Sequence, residues 1–470
     1  MLGLSSAVVL AEDPPKAPAG AVTAAAAAEP QGGSAATPSS PLAIHVGDAD
    51  LLIGGFMDLT AIMRSTATGN GIGTNFSAFP FTTTATGALN PTGNLSETRF
   101  SAQNSRITLQ ATSKIGRANV KGYLEADFLG NTAQNLNVTS NSDGLRLRLY
   151  WVQFTKGKFE FLAGQAGSLL MPNRNGLSPV PGDIFSSQDV DPNYQMGLTW
   201  GRTPEFRFIA HASDTVTAGV SIENPEQYTG GAVVLPAAFT AAEVDTGSGS
   251  SVVGSSSPIP NLYPDIIGKI AFDPKIGTRH QHIDAAVLMS GFKTFNPTTD
   301  TSSTATGTGG SVNAVIEPVK NIHLVGNAFF SNGGGRYIAS TNAPDFIVNA
   351  DQSVSLVKAR SFIVGSEVQA GSTTLLYGYY SAAQFGQNVT VDTTGNAIGF
   401  GVPGSTSANR ELHEATVGMS QTFFRDPKIG GMQLMVQYSS LQRTPFSVPS
   451  STPADAKLNM VFVNVRYILP

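Results

Sequence analysis

The chain has 470 residues and no cysteine, so disulfides, metal–thiolate centres and cysteine nucleophiles are excluded. Charged residues make up 13% of the chain, about half the share found in soluble domains, whereas 41% of residues are hydrophobic and 50 are glycine. The formal net charge of −5 comes without any basic tract, which argues against nucleic-acid binding.

Two N-terminal segments are predicted to lie outside the folded domain. Residues 1–11 are largely apolar, and the small residues Val9 and Ala11 precede Glu12 at the spacing of a signal-peptidase site. We interpret 1–11 as the remainder of a secretion signal. Residues 12–45 are rich in Ala, Pro, Gly and Ser and have few side chains that can form a core, which predicts a flexible periplasmic segment. The folded domain is therefore expected over 46–470.

From residue 46 onward, apolar and polar residues alternate in segments of about ten residues, as in half-buried β-strands. No run of about 18 apolar residues occurs, so the sequence predicts no transmembrane helix. The alternation predicts about seventeen strands, near residues 50–63, 99–113, 117–128, 144–156, 158–164, 193–200, 204–211, 214–223, 262–273, 279–292, 310–318, 321–330, 357–370, 372–382, 411–424, 430–441 and 457–468.

The connections between these segments alternate in length. Residues 113–118, 155–159 and 211–215 form short turns, whereas 64–98 and 394–411 are long and contain few apolar or charged residues. Transmembrane β-barrels have short turns at one rim and long loops at the other, and compact soluble domains rarely carry several long loops. The sequence therefore favours an all-β, antiparallel transmembrane barrel over a soluble two-sided sheet. Because bacterial barrels have an even strand number, we expect about 16 strands and one misassigned segment.

The segment GLRLRLYWVQF (144–154) has two faces of opposite chemistry. Strict alternation predicts one set of side chains facing lipid and the other facing the lumen. The lipid set is Leu145, Leu147, Leu149 and Trp151, and the lumen set is Arg146, Arg148 and Tyr150.

Further basic residues are expected on the same lumen wall: Arg99 and Arg106 two strands earlier, and Lys121 between them and the pair in 144–154. Guanidinium groups stay protonated and match carboxylates bidentately, so a row of them in a narrow pore raises the local anion concentration. The alternative is arginines scattered over a wet surface without a selective role. Nearby acidic residues on the same walls weaken a purely anionic preference and indicate a transverse field; they are Glu97, Glu125 and Asp127.

A barrel of this width needs a constriction to select solutes, and residues 164–195 are the candidate. This stretch has apolar side chains to pack with and prolines to stiffen it, so we expect it to fold into the lumen rather than remain an ordinary surface loop. The charged residues that it offers to the pore are Arg174, Asp183, Asp189 and Asp191.

Signals for other chemistry are weak. His280 and His282 share one strand face, but no third metal ligand is evident, and a pair of lumen histidines is the better interpretation. Nucleophile elbows and phosphate loops are missing from the sequence. We therefore predict neither an enzyme nor a cofactor.

The run from FEFLAGQ to FRFIAH (159–211) resembles the central part of the DcaP-like porins. The resemblance is carried by LAGQ, the Pro-rich middle, NYQMGLTW and the Phe-Arg-Phe strand; it is strongest over 90–230 and looser toward the C-terminus. It implies a sixteen-stranded trimeric channel of the bacterial outer membrane, with an inward-folded loop, for dicarboxylates and other small anions.

Together these observations predict an exported, integral outer-membrane diffusion porin that passes small hydrophilic solutes and prefers anions. Its partners would be outer-membrane lipid, the solutes and two further copies of the chain. The predicted pore-lining and constriction residues are Arg99, Arg106, Lys121, Arg146, Arg148, Arg174, Asp183, Asp189 and Asp191. The alternative is a structural or adhesive barrel whose long Ser/Thr/Gly loops bind a surface partner.

Overall fold

The computed structural model describes residues 40–69, 71–130, 143–180, 184–189, 194–247 and 259–470. The predicted signal segment and most of the predicted flexible segment lie outside these residues. The described chain forms one closed antiparallel barrel, in which nineteen hydrogen-bonded strand segments make sixteen staves. The first and last staves pair from Phe56 with Ile468 to Arg64 with Met460, which closes the barrel and confirms the predicted fold class.

The staves follow one another in chain order. They are β1 Ala49–Arg64, β2 Arg106–Ile115, β3 Ala118–Asp127, β4 Arg146–Lys156, β5 Phe159–Gly167, β6 Arg202–His211, β7 Val216–Glu223, β8 Asp265–Phe272, β9 Arg279–Asn296, β10 Thr301–Val319, β11 Ile322–Asn332, β12 Lys358–Ala370, β13 Thr374–Phe385, β14 Asn409–Asp426, β15 Gly430–Pro445 and β16 Ala456–Ile468. Three short segments extend them: Ala43–Val46 and Glu97–Ser101 pair with β1, and Lys275–Ile276 pairs with β9.

In the part of the chain that the structure describes, helical structure is confined to single turns at Pro91–Asn94, Ala241–Glu243 and Gly335–Tyr337. Among the described residues, no helix is long and apolar enough to cross a membrane.

The predicted strand at 193–200 is wrong, whereas each of the other predicted segments overlaps a stave. Residues 194–200 cross the barrel interior as irregular backbone, where Tyr194, Met196 and Leu198 are buried. Their apolar–polar alternation arises because one side packs on the inner wall, which the sequence pattern alone does not distinguish from a strand.

The stave β4 carries a β-bulge at Arg148. In its pairing with β3, Leu147 lies opposite Ala126 and Leu149 lies opposite Glu125, so Arg148 is the extra residue. A bulge of this kind shifts the side-chain alternation by one position.

The bulge reverses the faces of β4 beyond it. Arg146 points inward and Leu147 is exposed on the outside, as predicted. Leu149 and Trp151 are buried inside the barrel, however, and Tyr150 is exposed on the outer face. The predictions of lipid-facing Leu149 and Trp151 and of lumen-facing Tyr150 are therefore wrong.

The outer face is apolar around the barrel. Its exposed side chains include Leu124, Phe161, Phe206, Val364 and Val417, and Phe161 stacks on Phe206 with ring centroids 6.3 Å apart. The inward positions of the same strands are mainly polar or charged. This arrangement matches a lipid-facing wall around a polar lumen.

Candidate constriction site

Residues 168–201 connect β5 to β6 and are named the constriction loop here; the described residues of this loop, 168–180, 184–189 and 194–201, lie inside the barrel. At its start, Leu169 N donates to Glu223 Oε1 of β7 at 2.9 Å. Asn173 N then donates to Asp284 Oδ2 of β9 at 3.1 Å. The predicted inward fold of this stretch therefore agrees with the structure.

The middle of the constriction loop crosses to more distant staves. Arg174 forms a bidentate ion pair with Glu367 of β12, with N–O distances of 2.9 and 2.5 Å. Further along, Ser186 N donates to the Tyr379 hydroxyl of β13 at 2.9 Å, and Gln188 N donates to Gln437 Oε1 of β15 at 2.9 Å.

The constriction loop then returns along the same wall. Met196 N donates to Glu414 Oε2 of β14 at 2.8 Å, and Thr199 N donates to Asn327 Oδ1 of β11 at 3.2 Å. In the described part of the loop, hydrogen bonds to the barrel therefore reach from β7 to β15. The loop is also bonded to β5, where Gly167 N donates to Pro179 O at 2.9 Å, and its Val180 packs near Trp151 of β4 and Leu162 of β5.

The wall on β2 to β4 carries the predicted basic residues as an ion-pair network rather than as an open row. Arg146 holds Asp127 bidentately at 2.9 and 2.5 Å. Arg148 bonds to Glu125 at 2.6 Å and to Asp127 at 2.8 Å, and Arg106 lies 3.5 Å from Glu125. Three guanidinium groups thus share two carboxylates in this described network.

The predicted site residues differ in their access to water. The side chains of Arg106, Arg146 and Arg174 are 11%, 17% and 26% exposed, whereas that of Arg148 is 3% exposed. Water-accessible guanidinium groups therefore lie on both the wall and the constriction loop. Lys121 faces the lumen nearer the short turns, where it pairs in register with Gln153.

Arg99 lies apart from this network, at the rim with the long loops. It contacts Glu97 at 3.3 Å and has a 44% exposed side chain. Glu97 also accepts a hydrogen bond of 2.9 Å from Arg64 at the end of β1.

The predicted pore-lining role of Asp189 is wrong for a physical reason. Its carboxyl group is fully buried and accepts hydrogen bonds from Gln437 Nε2 at 2.8 Å and from Ser439 Oγ at 2.9 Å. The residue fastens the constriction loop to β15 instead of facing water. The predicted Asp183 and Asp191 lie outside the described residues.

A second inward loop was missed by the sequence interpretation. The described residues of 65–96, named the mouth loop here, place Phe76, Phe79 and Phe81 in the apolar cluster inside the barrel, and Ile72 of the same loop is also buried. The cluster continues into β16 through Leu458, Met460 and Phe462. The sequence signal was SAFPF (77–81), an aromatic pair in an otherwise small and polar loop.

Two buried arginines hold the mouth loop. Arg64 donates from Nη2 to Ile72 O at 2.8 Å, and Arg443 of β15 donates from Nε to Phe79 O at 2.7 Å. The Arg443 guanidinium also stacks over the Phe81 ring, 4.4 Å from its centroid. Thr74 N donates to Asp189 O at 3.0 Å, so the mouth loop rests on the constriction loop.

Buried charges on β6 to β9 support the start of the constriction loop and were also missed. Lys269 lies 3.2 Å from Asp284, and His282 bonds to Asp273 at 2.7 Å and to Asp284 at 2.8 Å. Both ring nitrogens of His282 are therefore occupied by carboxylates. The described residues contain no cluster of three or more His, Cys, Asp or Glu side chains suited to a metal ion.

Comparisons with known proteins were made at the level of sequence and of structure. No family model and no curated protein matches the chain. The structure is similar to the outer membrane channel DcaP of Acinetobacter baumannii, with a TM-score of 0.63, 18% identity, and coverage of 89% of this chain and 97% of that chain. It is also similar to the anion-selective porin from Comamonas acidovorans, with a TM-score of 0.50, 12% identity, and coverage of 89% and 99%.

These similarities concern the fold. This chain has the architecture of outer-membrane porins. The resemblance to DcaP-like porins, first indicated by residues 159–211, is confirmed at the level of the barrel fold. A closed barrel with an apolar outer face and porin neighbours confirms the predicted location in the bacterial outer membrane.

Proposed function

We propose that the chain forms a water-filled diffusion channel for small hydrophilic solutes that prefers anions, dicarboxylates among them. One observation carries the proposal. The constriction loop is fastened to β7–β15, and it faces a guanidinium-rich wall on β2–β4. Solutes would pass between the wall and the loop, in contact with the exposed parts of Arg106, Arg146 and Arg174.

The charge balance of the lining supports an anionic preference. The carboxylates of Glu125 and Asp127 are almost fully buried, whereas Arg106 and Arg146 keep water-accessible surface. A partly desolvated site with accessible guanidinium groups concentrates anions even though the whole chain is acidic. The neighbour described as an anion-selective porin is consistent with this proposal.

The trimer remains part of the proposal. The staves β2 to β8 have 8 to 11 residues, whereas β9, β10, β14 and β15 have 16 to 19. The barrel wall is therefore shorter along the membrane normal on the side of β2 to β8. The apolar outer face of this side is a surface on which copies of the chain can associate. Native mass spectrometry of detergent-extracted protein tests this assembly, and a monomer at all concentrations would contradict it.

The proposed function is tested by the reversal potential in a planar bilayer under a potassium chloride gradient. Arg146→Gln removes one positive charge while Asp127 keeps its bond to Arg148. A unit charge about 8 Å from an ion in water contributes about 0.5 kcal/mol, and screening in about 0.1 M salt roughly halves this energy. The contribution has opposite signs for chloride and potassium, so the two add, and we expect the chloride-to-potassium permeability ratio to fall about twofold.

Arg410→Gln is the matched control, because it removes the same charge from a side chain that is 54% exposed and pairs with Glu411. It should leave the permeability ratio unchanged. Equal effects of the two variants would reduce the channel to an unselective porin. A folded, inserted protein without conductance would instead favour the structural or adhesive barrel.

A further inference from the structure

The outward-facing side chains of β12 to β16 change from apolar to basic toward the rim with the long loops. On β12, Lys358 and Arg360 are exposed on the same face as Phe362 and Val364, which lie further from this rim. The strands β12, β14 and β16 all begin here, and each carries a basic side chain near its start. The outward basic set is named the rim patch, and its members are Lys358, Arg360, Arg410, His413 and Lys457.

Cross-strand pairing joins the members of the rim patch into one band. At one edge, Arg360 of β12 lies opposite Gln384 of β13. At the other edge, Gln442 of β15 lies opposite both His413 of β14 and Lys457 of β16. Neighbouring strands are about 4.8 Å apart, so the band from β12 to β16 is about 19 Å wide.

Two members of the rim patch have a carboxylate nearby. Glu411 lies 2.9 Å from Arg410 and 3.9 Å from His413, so one negative charge is shared by these two side chains. Asp455, just before β16, accepts a hydrogen bond from the uncharged Gln442.

The other three members carry positive charge that no described carboxylate balances. Arg360 donates from Nε and Nη2 to the uncharged Gln384 Oε1, at 2.8 and 2.6 Å. Within the described ranges, ion pairs are formed by neither Lys358, Arg360 nor Lys457. The rim patch is therefore an outward surface of net positive charge.

An aromatic pair shows that the rim patch lies at the level of the lipid headgroups. The Tyr380 hydroxyl is hydrogen-bonded to His413 Nδ1 at 2.9 Å, and the Tyr380 ring packs beside Phe362 with ring centroids 6.1 Å apart. Tyrosine rings with one polar and one apolar side are typical of the membrane–water interface. Because long loops lie on the extracellular side of bacterial barrels, this interface belongs to the outer leaflet.

The opposite side of the barrel lacks such a band. On β2 to β8, the outward side chains near the long-loop ends of the strands are apolar and exposed; they include Ile107, Leu147, Phe206, Ile222 and Ile266. This is the side on which association of copies is proposed above. The rim patch lies away from it, where the outer face meets lipid.

We propose that the rim patch binds a glycolipid of the outer leaflet through two phosphates of its headgroup. Phosphate is the anion that arginine matches bidentately and that lysine binds as a point charge. The acyl chains of the same lipid continue along the apolar face formed by Phe362 and Val364. The inference rests on the location in the outer membrane and not on conductance, so it stands apart from the proposed channel function.

The width of the rim patch selects a headgroup with two separated phosphates. A single phosphate reaches the cations of one edge, either Lys358 and Arg360 or Lys457, because these edges are about 19 Å apart. A headgroup with two phosphates gains from both edges at once. Each basic side chain near an anionic lipid strengthens the association about fivefold.

The test is native mass spectrometry of the folded protein in detergent, with bisphosphorylated lipid A as the probe and a chelator present. We expect the wild-type protein to retain lipid A. The double variant Lys358→Gln/Arg360→Gln removes two unbalanced charges from exposed positions and should weaken the binding about 25-fold. Lys457→Gln, at the other edge of the rim patch, should weaken it about fivefold. Full retention of lipid A by these variants, or none by the wild-type protein, would overturn the inference.

Lys156→Gln is the matched control. Lys156 is exposed on the outer face at the end of β4, two residues after the exposed Phe154 and beside the short turns. The variant therefore loses the same charge from the same outer surface, but at the opposite rim. Its affinity for lipid A should equal that of the wild-type protein. A loss as large as that of Lys457→Gln would mean that the net charge of the protein, rather than the rim patch, holds the lipid.

Two further lipids distinguish the sources of phosphate. Phosphatidylglycerol carries one phosphate and should bind about fivefold more weakly than lipid A, and lipid A without phosphates should be lost. Equal retention of phosphatidylglycerol would assign the rim patch to lipid phosphate in general, and equal retention of lipid A without phosphates would leave only acyl-chain contacts. Binding that appears only when magnesium replaces the chelator would mean that a cation bridges the lipid to Glu411 and Asp455. Each of these three results would overturn the inference and leave the proposed function standing.

Discussion

Arginines of the passage and arginines of the mouth loop differ in their bonding partners and in their access to water. Arg106, Arg146 and Arg174 pair with carboxylates and keep part of their surface in water. Arg443 bonds to the carbonyl groups of Phe79 and Thr406, each at 2.7 Å, and is buried. The passage arginines present positive charge to solutes. Arg443 instead donates hydrogen bonds to the backbone carbonyl groups of Phe79, in the buried mouth loop, and of Thr406.

The difference shows that arginine content alone does not identify a selective wall. A guanidinium that donates to backbone carbonyls and stacks on aromatic rings stabilises a loop. A guanidinium that is held in place by a buried carboxylate and keeps water-accessible surface is instead positioned at the lining of the passage. Selectivity and stability should therefore respond separately to substitutions in the two groups.

The largest expected effect is that of Arg443→Ala, which removes a side chain that holds the mouth loop in the barrel. The change leaves Phe79 O and Thr406 O without their donor, and hydrogen bonds from charged donors contribute about 1.5–3 kcal/mol each. We expect the free energy of unfolding in urea to fall by about 3 kcal/mol. The released mouth loop should also increase the conductance, with little change in ion selectivity.

Arg410→Ala is the control for this prediction, since it removes an exposed arginine close to the same rim. Tryptophan fluorescence during urea unfolding in detergent measures the free energy, and bilayer recordings measure the conductance. Equal stability of Arg443→Ala and Arg410→Ala would contradict the assignment of Arg443 to the anchor of the mouth loop.

A smaller effect is expected for Arg174, the passage arginine on the constriction loop. Arg174→Gln removes one accessible charge, so the chloride-to-potassium permeability ratio should fall about twofold, as for a unit charge about 8 Å from the ion. Arg174→Lys retains the charge but loses the bidentate fit to Glu367. If charge sets selectivity, the lysine variant should keep the wild-type ratio. An equal loss in both variants would instead assign Arg174 to the positioning of the loop.

The barrel itself was accessible from the sequence because each stave repeats the same alternation. The short turns and long loops then fixed the order of the staves around the wall. The wrong predictions arose where a single bulged residue shifts the alternation along a strand, or where a loop alternates because one of its sides packs on the inner wall. The bulge at Arg148 reverses the faces of Leu149, Tyr150 and Trp151, and residues 194–200 alternate because they pack inside the barrel.

The candidate site could be predicted only in part from the sequence, for a related reason. Side chains on one strand face can be read from the period, which placed Arg106, Arg146 and Arg148 on one wall. The carboxylate partners of these arginines on the same wall could also be predicted from the sequence. The burial of those carboxylates could not. Whether Asp189 faces water or β15 depends on how a loop without periodicity folds, and so does the inward path of Phe79.

The smallest expected effect is that of Arg99→Gln at the rim. Arg99 contacts only the Glu97 carboxylate among described partners and is 44% exposed, so mobile ions screen it within a Debye length of about 10 Å at 0.1 M salt. The permeability ratio should therefore change by less than about a fifth at that salt concentration, and more at about 0.01 M, where the Debye length is about 30 Å. Reversal potentials at the two concentrations measure this difference. A change as large as that of Arg146→Gln at the higher concentration would mean that the field of the whole wall selects ions, and that the constriction only limits their size.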